Sequence, residues 1–280
     1  MRRSSALTFV PRAISVSLAI ALVASCGSPA PEGPPEINAE DRAIGAEQHE
    51  ALLAEFGGAY AGRQADYVTH LGEQLAASAG LAGQCTFTLV NSDVINAFAV
   101  PGCYIYVTRG MMALVGSEAE LASVLGHELG HIVGAHSRRQ ESRTLWRSLA
   151  VLAVSLTGSE RLTQLAGRAA QFFGLRYSRT QEYEADDYGI RVLRSAGYDP
   201  YAASDMLTAL GRNEAYMKST QGHDEARAIP EWVLSHPLTQ NRVDRARQKA
   251  RDTGLSDDEL PEREAELFQA LDGLLYGDDP

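Results

Sequence analysis

Cysteine, basic charge and long apolar runs are all scarce in this sequence. Three cysteines among 280 residues are too few for a scaffold held together by disulfides. A net charge of −11 argues against a nucleic-acid-binding protein that relies on a broad basic surface. Beyond the N-terminal region, the best apolar run, Leu149 to Leu156, is about half as long as a membrane-spanning helix requires. The 45% of hydrophobic residues is instead typical of a globular protein with a core.

The N-terminus has the features of a bacterial secretion signal. Arg2 and Arg3 supply positive charge, and an apolar stretch follows from Ile14 to Ala24. Cys26 comes directly after the small residues Val23-Ala24-Ser25, which resembles a bacterial lipobox. In such signals the cysteine becomes the lipidated first residue of the mature protein. The alternative is an ordinary signal peptide with an incidental cysteine.

The lipobox interpretation divides the chain into three parts. Residues 1–25 form a lipoprotein signal peptide, residues 26–39 a lipidated tether, and residues 40–280 a single domain. The tether is rich in proline, which predicts an extended conformation. Because Gly27 rather than aspartate follows the cysteine, resemblance to known lipoproteins favours the outer membrane. We therefore expect a periplasmic protein that contacts the membrane through its lipid anchor only.

The body of the chain predicts a small sheet among many helices. Helical periodicity covers residues 40–56 and 65–77, and β-branched and aromatic alternation predicts strands at 85–90, 97–100 and 103–107. The remainder is mostly helical, so the fold class is α+β. The strand-like segments contain Cys85 and Cys103. The oxidising periplasm permits a bridge between them, and two separate thiols are the alternative.

The strongest chemical signal is an HExxH motif on a predicted helix. Ser117 and Glu120 predict the start of this helix, which continues through His127-Glu128-Leu129-Gly130-His131. The i, i+4 spacing puts both histidines on one face, where they can share a metal ion. Glu128 can take a proton from a zinc-activated water that attacks a peptide carbonyl. Zinc is the expected ion, because imidazole nitrogens and a carboxylate suit it.

These residues do not fix the third metal ligand. The extended motif HExxHxxGxxH is excluded, because Ser137 occupies its last position. His136 falls one residue short and is expected to cap or pack the helix end. A carboxylate on a later helix could bind zinc while a second acid, four residues away, orients a histidine. An acidic first helical turn favoured by the helix dipole is the alternative. Residue chemistry alone leaves four candidates: Glu182, Glu184, Asp186 and Asp187.

Four motifs in order resemble one known family. They are Asn96–Gly102 followed by Tyr104–Gly110, His127–His131, Ser178–Asp186, and Ser235–Arg242. Together they resemble the HtpX/CAAX-prenyl-protease-like zinc metallopeptidases, which are gluzincins. The resemblance is closest to the bacterial periplasmic lipoproteins of the BepA/LoiP type. It implies that residues 40–280 form a single zinc metallopeptidase domain, mostly helical and of the zincin type, whose small sheet lies beside the HExxH helix.

The resemblance assigns roles to several residues. The zinc carboxylate of the family matches Glu182, with Asp186 as the supporting acid, and implies one Zn²⁺ per chain. His236 lies in a motif found near the metal, so it is a candidate oxyanion donor or a latent fourth ligand. Arg242 is a further candidate near the centre, where it would anchor an acid or a carbonyl. The alternatives are a loop histidine and an arginine paired at the surface.

The resemblance also places a strand at the wall of the cleft, where an extended substrate could add by backbone pairing. Its candidate residues are Asn96, Ala97, Phe98, Val100, Pro101 and Gly102. Backbone pairing is nearly indifferent to side chains, so broad specificity would follow.

Taken together, the sequence predicts a zinc endopeptidase of the bacterial cell envelope, acting in quality control. Its expected partners are unfolded or misassembled envelope proteins, and nucleic acid is not among them. One alternative is a chaperone or scaffold for outer-membrane protein assembly, with latent or minor protease activity. Another is a structural zinc protein, which the absence of cysteine from these motifs argues against. The oligomeric state is not predicted.

Overall fold

The structure is a computed structural model that describes residues 35–139, 177–220, 231–257 and 259–275. The predicted signal peptide, Cys26 and residues 26–34 of the predicted tether lie outside these residues. Lipidation and the domain boundaries therefore remain predictions. Among the described residues, no helix combines the length and the apolar character that crossing a membrane requires.

Two helices begin the described chain, within two residues of their predicted bounds. They are α1 (Ala39–Glu55) and α2 (Arg63–Ser78). The Asn38 side chain caps α1 by accepting a hydrogen bond from the backbone N–H of Asp41 at 2.8 Å. Helix α2 directs a stripe of apolar residues into the core, because they recur at helical spacing: Val68, Leu71 and Leu75.

The predicted sheet is present and has three strands. They are β1 (Thr86–Val90), β2 (Ala97–Val100) and β3 (Tyr104–Thr108), in the order β1-β3-β2. Strand β3 pairs in parallel with β1 and antiparallel with β2, so β2 lies at an edge of the sheet. Cys85 and Cys103 immediately precede the two parallel strands and therefore lie side by side. They form a disulfide.

The HExxH motif lies on the central helix of the fold. A short helix α3 (Arg109–Leu114) leads to α4 (Glu118–Val133), which packs against α2, the sheet and the later helices. Ser117 caps α4 by accepting from the backbone N–H of Glu120 at 3.1 Å. Most of α4 is buried because its apolar residues surround the motif on several faces.

Five helices follow in the described part of the chain: α5 (Arg179–Ala196), α6 (Ala202–Thr220), α7 (Glu231–Ser235), α8 (Gln240–Asp252) and α9 (Glu264–Leu271). Helix α5 begins with a reciprocal capping box between Ser178 and Gln181. It ends at Gly197, whose φ of 80° suits glycine. The α+β prediction, with a small sheet beside the HExxH helix, is confirmed.

Small residues let α4 and α5 approach closely. A Cβ atom added at Gly130 would lie 2.8 Å from the Cα of Ala185, and one added at Gly126 would lie 3.2 Å from the Cα of Gly189. Neither position on α4 has room for a larger residue without some movement. We call these four residues the glycine seam. It brings the acids of α5 within reach of the histidines on α4.

Candidate metal centre

Four buried side chains converge beside the glycine seam. His127 and His131 come from α4, Glu182 from the first turn of α5, and His236 from the residue after α7. One ligand atom from each lies within 4.8 Å of the others. These four residues could hold a metal ion, and three of them are the zinc ligands expected from the resemblance.

The spacing of the ligand atoms suits a small cation. His127 Nε2 lies 3.0 Å from His131 Nε2 and 3.2 Å from His236 Nδ1. Glu182 Oε1 lies 3.2 Å from His236 Nδ1 and 3.6 Å from His131 Nε2. Tetrahedral zinc, with bonds of about 2.0–2.2 Å, separates its ligand atoms by roughly 3.4 Å. Burial lowers the pKa of all three histidines, which leaves them neutral, as metal ligands must be.

A carboxylate and a guanidinium support His127 from behind. The Nδ1–H of His127 donates to Asp186 Oδ1 at 2.9 Å, so the lone pair on Nε2 faces the other ligands. Arg242 donates to both oxygens of Asp186, at 2.9 and 2.7 Å. Burial alone would raise the pKa of Asp186, but Arg242 and His127 hold it well below its usual range. We call Asp186 and Arg242 the buried support.

Arg242 also contacts the candidate carboxylate ligand. Its Nη1 lies 2.6 Å from Glu182 Oε2 and donates to the backbone oxygen of Pro237 at 3.3 Å. All three guanidinium nitrogens therefore have partners, and Arg242 anchors acids and a carbonyl, as one predicted role required. Burial raises the pKa of Glu182 to about 7 in the absence of metal, although Arg242 and His127 oppose the shift.

His131 has a longer support that sequence reasoning missed. Its Nδ1 lies 2.8 Å from Nδ1 of His136, whose Nε2 lies 3.0 Å from Glu184 Oε2. Arg139 donates to the same carboxylate oxygen at 2.6 Å. We call His136, Glu184 and Arg139 the outward support. His136 does lie at the helix end, as expected, but its contact with His131 was not anticipated. The available signal was a histidine five residues after the motif.

Glu128, the predicted proton acceptor, lies fully buried next to the four ligands. Its Oε1 is 3.7 Å from His236 Nε2. Burial and the nearby Glu182 raise the pKa of Glu128 well above its usual value, and the Trp232 indole and the Ala99 amide oppose this only in part. Neither carboxylate oxygen has a hydrogen-bond partner at good geometry among the described residues. The carboxylate therefore has acceptor capacity available to a reactant.

His236 is held in place by an aromatic residue that the sequence did not single out. The Trp232 ring stacks on His236 at a centroid distance of 4.7 Å and an angle of 17°. The Arg242 guanidinium lies over the same indole at 5.4 Å. Trp232 and His236 are one turn apart on and after α7, and that spacing was the only local signal. The stacking on Trp232 holds His236 beside the other three candidate ligands.

The predicted substrate strand lies beside the centre, with its side chains occupied elsewhere. The Ala99 amide of β2 is close enough to Glu128 to lower its pKa. Phe98 packs against Phe56 and Tyr106, with centroid distances of 4.8 Å to each. Asn96 and Ala97 are buried, Val100 is partly buried, and Pro101 and Gly102 form the turn into β3. Any substrate contact with β2 would therefore be made mainly through its backbone.

Known sequences place this chain in a family. The sequence model of peptidase family M48 matches residues 62–250, which include the four candidate ligands, Glu128 and both supports. The chain therefore belongs to peptidase family M48. Membership supports a metalloendopeptidase and implies a divalent metal, usually zinc. The resemblance predicted from the four motifs is confirmed.

Named relatives include bacterial and mitochondrial proteases. A putative beta-barrel assembly-enhancing protease of Vibrio cholerae is 34% identical over 198 residues, covering 66% of this chain and 39% of that protein. The mitochondrial metalloendopeptidase OMA1 of Arabidopsis thaliana is 37% identical over 55% of this chain and 29% of its own length. Metalloprotease LoiP of Escherichia coli is 27% identical over 58% of this chain and 61% of its own length. The matched region thus spans well under half of the first two relatives.

Proposed function

We propose that this chain is a zinc-dependent endopeptidase of the bacterial cell envelope, and that it cleaves unfolded or misassembled envelope proteins. The observation that carries the proposal is the buried group of His127, His131 and Glu182, with Glu128 beside it and the edge of β2 close by. Two imidazoles and one carboxylate are a ligand set typical of catalytic zinc. We infer that each chain binds one Zn²⁺.

The chain's own residues supply the remaining chemistry. When bound, zinc would polarise the substrate carbonyl and activate the attacking water. The Glu128 carboxylate lies where it could accept the proton of the attacking water and pass it to the departing amine. The edge of β2 orients an extended substrate through backbone hydrogen bonds. The buried support keeps the donor atom of His127 directed at the metal.

We further propose that the described conformation is latent. A catalytic zinc site keeps one position open, whereas His236 Nδ1 lies 3.2 Å from both His127 Nε2 and Glu182 Oε1. His236 would therefore fill the fourth position and would have to move away before substrate binds. After it moves, the same imidazole could donate a hydrogen bond to the oxyanion.

Envelope location and substrate class rest on sequence features and relatives. The N-terminal signal with Cys26 supports a periplasmic, lipid-anchored protein, which we propose is held at the outer membrane. One relative is named a beta-barrel assembly-enhancing protease, which supports a role in envelope protein assembly. The closed ligand group also suits a chaperone or scaffold with latent protease activity, and this is the second candidate function.

The test is zinc content and casein cleavage by the full chain, purified with detergent. We expect one zinc per chain in the wild type and in Glu128→Gln, with any cleavage lost in Glu128→Gln. If His236 holds the site latent, His236→Ala should cleave faster than the wild type. Zinc without cleavage in every variant would favour the scaffold. A folded chain that binds no zinc would overturn the proposal.

A further inference from the structure

The contacts of His131 indicate which atom donates each hydrogen bond in the outward support. If His131 Nε2 offers its lone pair to a metal, its proton is on Nδ1 and is donated to Nδ1 of His136 at 2.8 Å. His136 then carries its own proton on Nε2 and donates it to Glu184 at 3.0 Å. Arg139 donates to the same Glu184 oxygen at 2.6 Å. All three contacts agree with this single assignment.

The backbone after α4 holds His136 next to His131. Ala135 has a φ of 47°, a left-handed conformation that interrupts the helical backbone just before His136. A Cβ atom at Gly134 would lie 2.2 Å from Nε2 of His136, so only glycine leaves room for the imidazole. Gln181 Nε2 donates to the backbone oxygen of His136 at 3.1 Å. Three separate features therefore fix one buried side chain.

A purely packing role does not account for this arrangement. His136 is completely buried, and an apolar side chain of similar size would fill the space without needing polar partners. Instead, both ring nitrogens have partners, one of which is a candidate metal ligand. Burying a polar ring between an acid and a ligand is what orienting a metal-binding histidine requires.

We propose that His136 and Glu184 are positioning residues that fix the proton of His131 on Nδ1 and so direct its Nε2 at the metal. This inference rests on the proposed zinc site. The outward support would raise the basicity of His131 as a ligand, in the way that Asp186 does for His127. Neither His136 nor Glu184 needs to touch the substrate.

The test measures zinc affinity by competition with a chelator, using the full chain. His136→Leu should weaken zinc binding by about 10–100-fold, because the Nδ1–H of His131 loses its acceptor. His136→Asn should restore most of the affinity, because its amide oxygen can accept from the same N–H. A role in packing alone predicts the opposite order, since leucine fills the space better than asparagine.

Two variants on α5 keep the test decisive if the His136 variants do not fold. Glu184→Ala should weaken zinc binding, whereas Asp187→Ala, on the same helix and paired with Arg245 at 2.6 Å, should not. A wild type without zinc would overturn the proposed function itself. A wild type that binds zinc, with unchanged affinity in folded His136→Leu or equal affinities for Glu184→Ala and Asp187→Ala, would overturn this inference alone.

Discussion

The two histidines of the HExxH motif are supported in different ways. Behind His127 the support is short and buried: Asp186 and Arg242 have side chains only 7% and 2% exposed. Behind His131 it is longer and reaches solvent, where the side chains of Glu184 and Arg139 are 46% and 45% exposed. The same helix therefore presents one candidate ligand that is fixed from the interior and one that is connected to the surface.

The difference predicts where the centre is rigid and where it can be tuned. Charges in a buried pair are little screened, and removing one leaves the other unpaired in the interior. An exposed pair contributes little to stability and weakens as salt is added. We infer that the buried support determines whether the centre forms, and that the outward support adjusts how tightly it holds a metal.

The largest expected effect comes from breaking the buried support. Asp186→Ala leaves Arg242 buried with only part of its compensating charge, and it should lower the free energy of unfolding by about 3–5 kcal/mol. The adjacent Asp187→Ala removes partly exposed ion pairs and should cost about 1 kcal/mol or less. Urea unfolding of both metal-free variants tests this. Equal losses would contradict the proposed role of the buried support in stability.

Alanine substitutions in the glycine seam, at Gly130 and Gly126, should differ in the size of their effect. Gly130→Ala should lower the free energy of unfolding by about 1–3 kcal/mol and weaken zinc binding, because its Cβ would meet the backbone of Ala185 at 2.8 Å. Gly126→Ala, at 3.2 Å from Gly189, should cost less. Thermal unfolding and chelator competition measure both effects. A larger effect at Gly126 would show that the seam does not set the helix spacing as described.

A pH series should distinguish the protonation of Glu182 from that of Glu184. Glu182 has a pKa of about 7 without metal, so below that pH zinc must displace its proton. Affinity should fall roughly tenfold per pH unit below 7, about 1.4 kcal/mol each. The Arg139 contact lowers the pKa of Glu184, which is therefore already charged and releases no proton. Calorimetry in buffers of different ionisation enthalpy counts the protons. Zinc binding at pH 6 without proton release would contradict this assignment.

The smallest effect is expected at the outer end of the outward support. Arg139→Gln removes a half-exposed partner of Glu184, and it should change zinc affinity by about fivefold or less. Added salt should shrink even that difference, because it screens the attraction between the exposed charges of Arg139 and Glu184. Chelator competition at low and high salt measures it. A loss above tenfold would mean that Arg139 is as important as the buried residues.

The parts of the centre that depend on local geometry were predictable from sequence. The i, i+4 spacing of His127 and His131 determines a shared helical face wherever the helix lies. Glu182 was different, because four acids lie within six residues and the rotation of α5 decides which one points inward. The glycine seam sets that rotation, since Ala185 and Gly189 must face α4. Only the family resemblance could select Glu182 in advance.

Other parts depend on features that residue types do not reveal. The contact of His136 with His131 requires the left-handed backbone at Ala135, which a non-glycine residue seldom adopts. Trp232 reaches Glu128 and His236 only because α7 packs on the centre. Likewise, the pairing of Cys85 with Cys103 follows from the parallel register of β1 and β3, which the sequence left open.

That disulfide closes a covalent ring around residues 85–103, and the ring contains β2, the strand proposed to receive substrate. A peptidase must survive its own activity at high local concentration. A single cut in the backbone anywhere inside the ring would leave both new ends attached to the protein through Cys85 and Cys103. Such a nick would go unseen on a denaturing gel until a reducing agent was added, and the cleft wall could stay assembled after it.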